Sequence, residues 1–516
     1  IPLRLVGSEM CIRDRMQTSD GFLKRRPVQQ QQLVAERPDR MEEACGVFAV
    51  LAAEQPVANL AYFGLYALQH RGQESAGIAV FNQDKVLLHK DMGLVSQVFD
   101  QDVLARMSGD LSIGHNRYST TGSSRVCNAQ PVVLMTRLGA FALAHNGNLV
   151  NAKELRVLVD DGKTEFTSTT DSELIAFAVQ QAVNRGLDWR SGIEAALKLC
   201  QGAFSLVIGT PAGLFAIRDG YGIRPLVFGF LGEQSLGHWV VSSETCGLEI
   251  IGARYVDDVQ PGELVHFELG SAEPFRKRWS DEPNRLCVFE MIYFARPDSR
   301  FFGESLYSYR QRIGRTLAKE SAVDADLVIG VPDSGIPAAI GFSQESGIPY
   351  ADGLIKNRYV GRTFIQPTQA MREAGIRVKL NPLPDVLSGK RIIVIDDSIV
   401  RGTTSGKLVV ALRDAGATEV HMRISSPPVT HPCFYGIDTD TQDQLIASRL
   451  TLEEIKNHLK VDSLAYLSKE GMVEAAKAES GNFCSACFDG NYPIPMDQEL
   501  LSSKLTLEPS AGSTNR

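Results

Sequence analysis

The apolar positions of this chain follow two different patterns. Cys45-Gly-Val-Phe-Ala-Val-Leu51 is a continuous apolar run, which predicts a buried strand opening on its cysteine. Residues 65–77 predict a helix and a Gly-punctuated turn. Ala79-Val80-Phe81 and Val86-Leu87-Leu88-His89 then predict two strands across the turn 82–85. Short strands recur to about Phe267, so this half is strands mixed with a few helices. The second half alternates instead. Leu327-Val-Ile-Gly-Val331 and Arg391-Ile-Ile-Val-Ile395 are strands buried on both faces, and a helix is predicted over about 405–415, stopped at Gly416. That order is the signature of a parallel sheet with crossover helices. Residues 1–44 carry no strong periodicity and 501–516 are polar; both are expected to be disordered.

Composition narrows the class. The 516 residues are 44% apolar and 22% charged, which excludes a coiled coil, a collagen-like repeat and a wholly disordered chain. Lys and Arg number 53 against 61 Asp and Glu, a net charge of −8, so neither a nucleic-acid nor a membrane-surface partner is expected. No apolar run reaches the roughly 18 residues of a membrane span. The nine cysteines are odd in number and irregularly spaced, which argues against a disulfide framework and for a reducing cytoplasm. The segment before Cys45 has a Gln run at 29–32 and no apolar core of an export signal. It is expected to be a propeptide or an artefactual extension, with Met16 or Met41 as alternative starts.

Four motifs in the first half carry chemistry. A cysteine nucleophile needs a base, and an N-terminal cysteine has its own α-amine, with a reference pKa of about 7.7–8.0. Cys45 taken alone is more often a small core residue. Gly-His-Asn-Arg117-Tyr-Ser-Thr-Thr-Gly sets a guanidinium in a hydroxyl-rich loop, suited to a substrate carboxylate. His-Asn146-Gly147-Asn offers an amide and a backbone N–H, the donors of an oxyanion hole, although Asn-Gly is also a hairpin signal. Thr-Thr-Asp171-Ser-Glu offers a carboxylate for a substrate ammonium, or simply a helix cap.

Together with Leu-Gln-His-Arg-Gly-Gln-Glu-Ser-Ala-Gly at 68–77, these motifs resemble, in order, the glutamine amidotransferase domain of the N-terminal-nucleophile hydrolases. The resemblance implies an αββα glutaminase domain over 45–275. It makes Cys45 the nucleophile, Arg117 and Asp171 the glutamine-binding residues, and Asn146 with Gly147 the oxyanion donors. Because Cys45 follows Glu42-Glu43-Ala44, removing one Met cannot expose it, and a propeptide must be cleaved.

In the second half, Arg391-Ile-Ile-Val-Ile-Asp396-Asp397-Ser398-Ile-Val-Arg401-Gly402-Thr403-Thr404-Ser405 is a strand, two carboxylates and a Gly/Thr/Ser loop feeding a helix. Such a loop cradles a phosphate, and the Asp pair suits ribose hydroxyls or a hydrated Mg²⁺. It lacks the Gly-Lys-Ser/Thr ending of a Walker loop. It is similar to the phosphoribosyl-pyrophosphate signature of type I phosphoribosyltransferases, which implies an α/β domain with a parallel sheet over 276–470. The same resemblance makes Ser334 a Mg²⁺ ligand beside Asp396 and Asp397. It makes the basic stretch opening with Lys356 and Arg358 a lid over pyrophosphate; the plainer reading is a solvated charge run.

Cys484-Ser-Ala-Cys487 alone is open between a redox pair, a zinc half-site and chance. Both halves in one chain resemble the amidophosphoribosyltransferase family. Some of its members hold a [4Fe–4S] cluster on cysteines matching Cys287, Cys433, Cys484 and Cys487, and four-cysteine zinc is the chemical runner-up. The cluster would then tie the C-terminal segment, 471–500, to the second domain as a structural element. The family implies one Mg²⁺ and one cluster per chain, and glutamine and phosphoribosyl pyrophosphate as substrates. It also implies purine nucleotides as feedback inhibitors and a homotetramer. Rival readings are another glutamine-dependent synthetase, a nucleobase salvage transferase, or a non-enzymatic regulator. The first conflicts with Asp396-Asp397, the second leaves the glutaminase half idle, and the third lacks a DNA-binding module.

Overall fold

Strand Gly46–Leu51 is apolar at every position because both of its faces are covered. Phe48 and Val50 point to one side, where they pack with Ile78, Val80 and helix Val57–Ala67. Val47 and Ala49 point to the other, against Ala142, Ala144, Val207 and Ala216 of a second sheet. That second sheet turns Phe141, Leu143, Phe204 and Leu206 outward beneath helices Asp171–Asn184 and Trp189–Leu197. The layering is therefore helix, sheet, sheet, helix, as the resemblance implies. This computed structural model describes residues 45–82, 85–118, 124–162, 164–357, 380–437, 439, 441–477 and 482–496.

Both sheets are antiparallel. The first runs Arg254–Asp258, Val227–Phe230, Trp239–Ser242, Gly46–Leu51, Leu111–Arg117, Ser75–Asn82 and Lys85–Met92. The expected pair across 82–85 is present, with Asn82 opposite Lys85. The second runs Phe275–Arg278, Glu263–Phe267, Gly213–Arg218, Gly202–Thr210, Gly139–Leu149 and Val132–Thr136. The boundary drawn at 275 thus falls inside a strand, since Phe275–Arg278 pairs with Glu263–Phe267.

In the second half, strands Leu327–Gly330, Arg391–Asp396, Glu419–Ile424 and Ser463–Tyr466 form a parallel sheet in that order. Ile393 and Ile395 face helices Leu306–Glu320 and Ile336–Ser346, while Ile392 and Val394 face Thr403–Asp414 and Leu452–Leu459. Helix Lys469–Ala475 packs its Met472 and Ala475 into the same core as Leu306 and Ile313. A boundary at 470 therefore divides a helix that belongs to this half. The expectations for 1–44, for 501–516 and for Arg358 lie outside the described residues.

Candidate active sites

Cys45 is buried at the mouth of its strand, and its thiol lies 3.4 Å from the Tyr118 carbonyl oxygen. Burial pushes that thiol up to about 12; Arg117 opposes the shift, while Glu74 and Asp171 add to it. Burial therefore favours the neutral thiol. Arg117 is the last residue of strand Leu111–Arg117, not a loop residue, and donates to Glu74 at 2.8 Å. The strand reaches that far because Arg117 still pairs with Ser75 in the sheet.

Asp171 begins the 14-residue helix Asp171–Asn184, with Thr170 as its N-cap. One of its carboxylate oxygens accepts the Leu149 N–H at 2.9 Å, and the other lies 3.6 Å from His145 Nδ1. Burial works against its charge, yet His145 and the N–H groups of Leu149 and Ser172 hold Asp171 below the usual carboxylate range.

Asn146 and Gly147 are not a hairpin turn. They sit inside strand Gly139–Leu149, opposite Ser205 and Phe204. Gly147 has φ +147°, and a Cβ there would fall 2.0 Å from the Ala203 carbonyl oxygen, so only glycine fits. Both polar atoms of the Asn146 side chain are buried without a protein partner. A buried amide left open in this way has a donor and an acceptor to offer a ligand or a water. The bond between His115 Nε2 and the His145 carbonyl oxygen, 3.0 Å, joins this strand to the cysteine sheet, where His115 pairs with Val47.

The second site stands at the carboxyl ends of the parallel strands. Asp396, Asp397, Ser398 and Ser405 are all buried there. Ser334 donates to Asp397 Oδ1 at 2.5 Å and Ser398 donates to Oδ2 at 2.7 Å. Gly402, at φ +83°, starts helix Thr403–Asp414, so Thr403, Thr404 and Ser405 present their N–H groups at a helix N-terminus. Lys356 stands on the strand Leu354–Lys356 and pairs with Asp333 at 2.5 Å. The Ser334 hydroxyl and two carboxylates fit a Mg²⁺, which binds few protein groups and keeps waters and substrate phosphates.

Four cysteines converge at a third place. Cys287 faces Cys484 in register across the parallel pair Leu286–Cys287 and Phe483–Cys484, and Cys433 and Cys487 share their core. Burial pushes the Cys287 thiol up to about 11 and raises Cys484 and Cys487 further, with the other cysteines adding to each. Among the described residues, no three His, Cys, Asp or Glu close to within single-ion ligation. Cys287 and Cys484 are buried and Cys433 and Cys487 are half-buried, and a set of four cysteines of this kind suits a cluster or a four-sulfur zinc site.

A glutamine amidotransferase domain family matches residues 115–249. Over 92% of its length the chain is 68% identical to the amidophosphoribosyltransferase of Synechococcus elongatus, of which it covers 96%. The chain belongs to the amidophosphoribosyltransferase family. The enzyme of Bacillus subtilis is 44% identical over 89% of the chain and 96% of that enzyme. A solved B. subtilis glutamine phosphoribosylpyrophosphate amidotransferase, complexed with ADP and GMP, superposes with a TM-score of 0.82 at 44% identity, covering 88% of this chain and 98% of that one. For an amidophosphoribosyltransferase, the sequence motifs give no role to Arg71, Arg224, Glu244 and Glu290. All four are fully buried polar residues. Glu290, a lone charge in the apolar run Val-Phe-Glu-Met-Ile, is the one signal the sequence offers; Arg71 lies among polar residues in Gln-His-Arg-Gly-Gln.

Proposed function

We propose that Cys45, freed as an N-terminal residue, releases ammonia from glutamine, and that the Asp396–Ser405 loop holds the phosphoribosyl pyrophosphate that consumes it. The product is 5-phosphoribosylamine with pyrophosphate, the opening step of purine synthesis. Arg117 and Asp171 hold the amino-acid end of glutamine. The Cys45 α-amine takes the thiol proton, and the thiolate attacks the side-chain amide. The oxyanion rests on the Asn146 amide and the Gly147 N–H. The amine returns the proton to the leaving nitrogen, ammonia departs, and water hydrolyses the thioester to glutamate.

At the second site, the Thr403–Ser405 N–H groups and hydroxyls take the 5-phosphate, and the Asp396 carboxylate takes the ribose hydroxyls. Ser334, Asp396 and Asp397 would hold a Mg²⁺, whose charge offsets that of the departing pyrophosphate. Lys356 adds a cation beside it. Ammonia attacks C1 of the ribose as the C1–O bond to pyrophosphate breaks. Water would protonate free ammonia, so it passes between the sites inside the protein. Cys287, Cys433, Cys484 and Cys487 would hold a [4Fe–4S] cluster that ties the C-terminal segment to the junction of the halves. Purine nucleotides, whose sugar phosphate the same loop would accept, act as inhibitors; a homotetramer in the cytoplasm completes the reading.

The unpartnered Asn146 amide beside Gly147 is the observation that carries the glutaminase step. The test is amide-¹⁵N-glutamine supplied with a large excess of unlabelled ammonium. Product nitrogen should remain mostly labelled while glutamine is consumed, and extensive dilution would overturn the two-site scheme.

A further inference from the structure

Glu290 is wholly buried, and its carboxylate is shared by two arginines of the first half. Arg71 grips it with both terminal nitrogens, at 2.9 and 2.7 Å, and Arg224 donates to it at 3.0 Å. Neither arginine ends its contacts there. Arg71 donates its Nε–H to the Cys45 carbonyl oxygen at 3.2 Å. Arg224 donates twice to the Tyr435 carbonyl oxygen, at 2.9 and 2.7 Å.

The segment holding Tyr435 lies directly against the oxyanion strand. Asn148 Nδ2 donates to the Phe434 carbonyl oxygen at 3.0 Å. Gly436 abuts Gly147 so closely that a Cβ on Gly436 would fall 3.0 Å from the Gly147 Cα. One carboxylate therefore anchors two chains of contact, one ending at the nucleophile's main chain and the other at the oxyanion donor. Glu290 itself is held from the second half: it begins the helical turn Glu290–Phe294, and Arg310 of helix Leu306–Glu320 donates to the Met291 and Ala295 carbonyl oxygens at 2.9 and 2.7 Å.

We propose that Glu290 is a positioning residue for the glutamine step, fixing from the phosphoribosyl half the placement of Cys45 relative to the Gly147 oxyanion donor. A buried ion pair suits this task because it accepts one geometry, whereas an apolar seam tolerates sliding. The inference rests on the glutaminase reading of Cys45 and Gly147. It goes beyond that reading in assigning a residue that touches no substrate.

The test is Glu290→Asp, which keeps the charge and withdraws it by one methylene. Three quantities are measured: kcat and KM for glutamine hydrolysis, the ammonia-dependent synthesis rate, and the thermal midpoint. The expected result is a fall of about tenfold or more in glutamine kcat, since displacing reacting groups by a fraction of an ångström acts on the chemical step. KM should stay within about threefold and ammonia-dependent synthesis within about twofold. A soluble variant with unchanged glutamine kcat, or one in which both activities fall in parallel, overturns the proposal. If Glu290→Asp does not fold, Arg224→Lys decides by the same split, because it keeps the charge and removes the paired donation to Tyr435. Wild-type protein lacking either half-reaction would instead sink the proposed function itself.

Discussion

Ser334 donates its hydroxyl to Oδ1 of Asp397 at 2.5 Å, joining the turns that follow two neighbouring parallel strands. Sixty-three positions separate them in the chain, and only the strand pairing brings them together. Asp397→Asn keeps the shape of the site and removes the charge that a divalent cation needs. Ammonia-dependent pyrophosphate release should fall by about tenfold or more, with glutaminase activity surviving. An unchanged release rate would count against the loop as the phosphoribosyl site.

Cys45→Ala should abolish glutamine-dependent synthesis and spare ammonia-dependent synthesis. Burial pushes the thiol up to about 12, so it needs a base, and the α-amine is the one proposed. The unprocessed chain should then lack glutaminase activity, and N-terminal sequencing of active enzyme should begin at Cys45. The amine acts as a base only when neutral, so glutaminase activity should rise with pH through its reference range of about 7.7–8.0. An intact Ala44–Cys45 bond in active enzyme would remove the proposed base.

Asn146→Ala removes one of the two proposed oxyanion donors. Glutamine kcat should fall about 10²–10³-fold with KM little changed, because the amide meets charge that develops only in the transition state. A change confined to KM would assign Asn146 to ground-state binding.

The cysteine quartet predicts brown protein with about four irons per chain. Cys487→Ser should lose iron and colour together, measured by metal analysis and visible absorption. A colourless wild-type sample loaded with zinc would replace the cluster with a four-sulfur zinc site.

Acid stability should depend on Glu244. Burial opposes its charge, but His70 and Arg71 hold its carboxyl well below the usual range. A group depressed in the folded state stabilises above its unfolded pKa, about 4.3, and loses that contribution as pH falls toward its folded value. Stability should therefore decline below about pH 4. In Glu244→Gln the slope of that decline should be shallower by up to about 1.4 kcal/mol per pH unit, read from urea unfolding at stepped pH. An identical slope would show that the carboxylate does not titrate with unfolding.

Much of the fold was legible because burial on both faces leaves its mark on composition. The runs at 46–51 and 392–395 contain no polar side chain, and each lies in a central strand. Asn146 and Gly147 were harder to read, since Asn-Gly commonly marks a turn. Their place inside a strand depends on the neighbour Gly202–Thr210, whose Ala203 carbonyl is what makes a side chain at 147 impossible. Arg117 was read as a loop residue because glycine and hydroxyl residues surround it, and pairing with Ser75 extends its strand. The buried Arg71–Glu290–Arg224 group left one lone charge, Glu290, in an apolar run and two arginines in ordinary surroundings.

Local sequence determined most of the strands, the candidate phosphate loop at 396–405 and the chemical identity of each candidate site residue. Those depend on backbone sterics and on hydrophobic period, which act over a few residues. Tertiary structure alone decided which groups meet: Ser334 with Asp397, Cys287 with Cys484, and Arg71 with both Cys45 and Glu290. Such partners lie 26 to 219 positions apart, and a charge buried in one segment becomes stable only when folding brings its counter-charge from another.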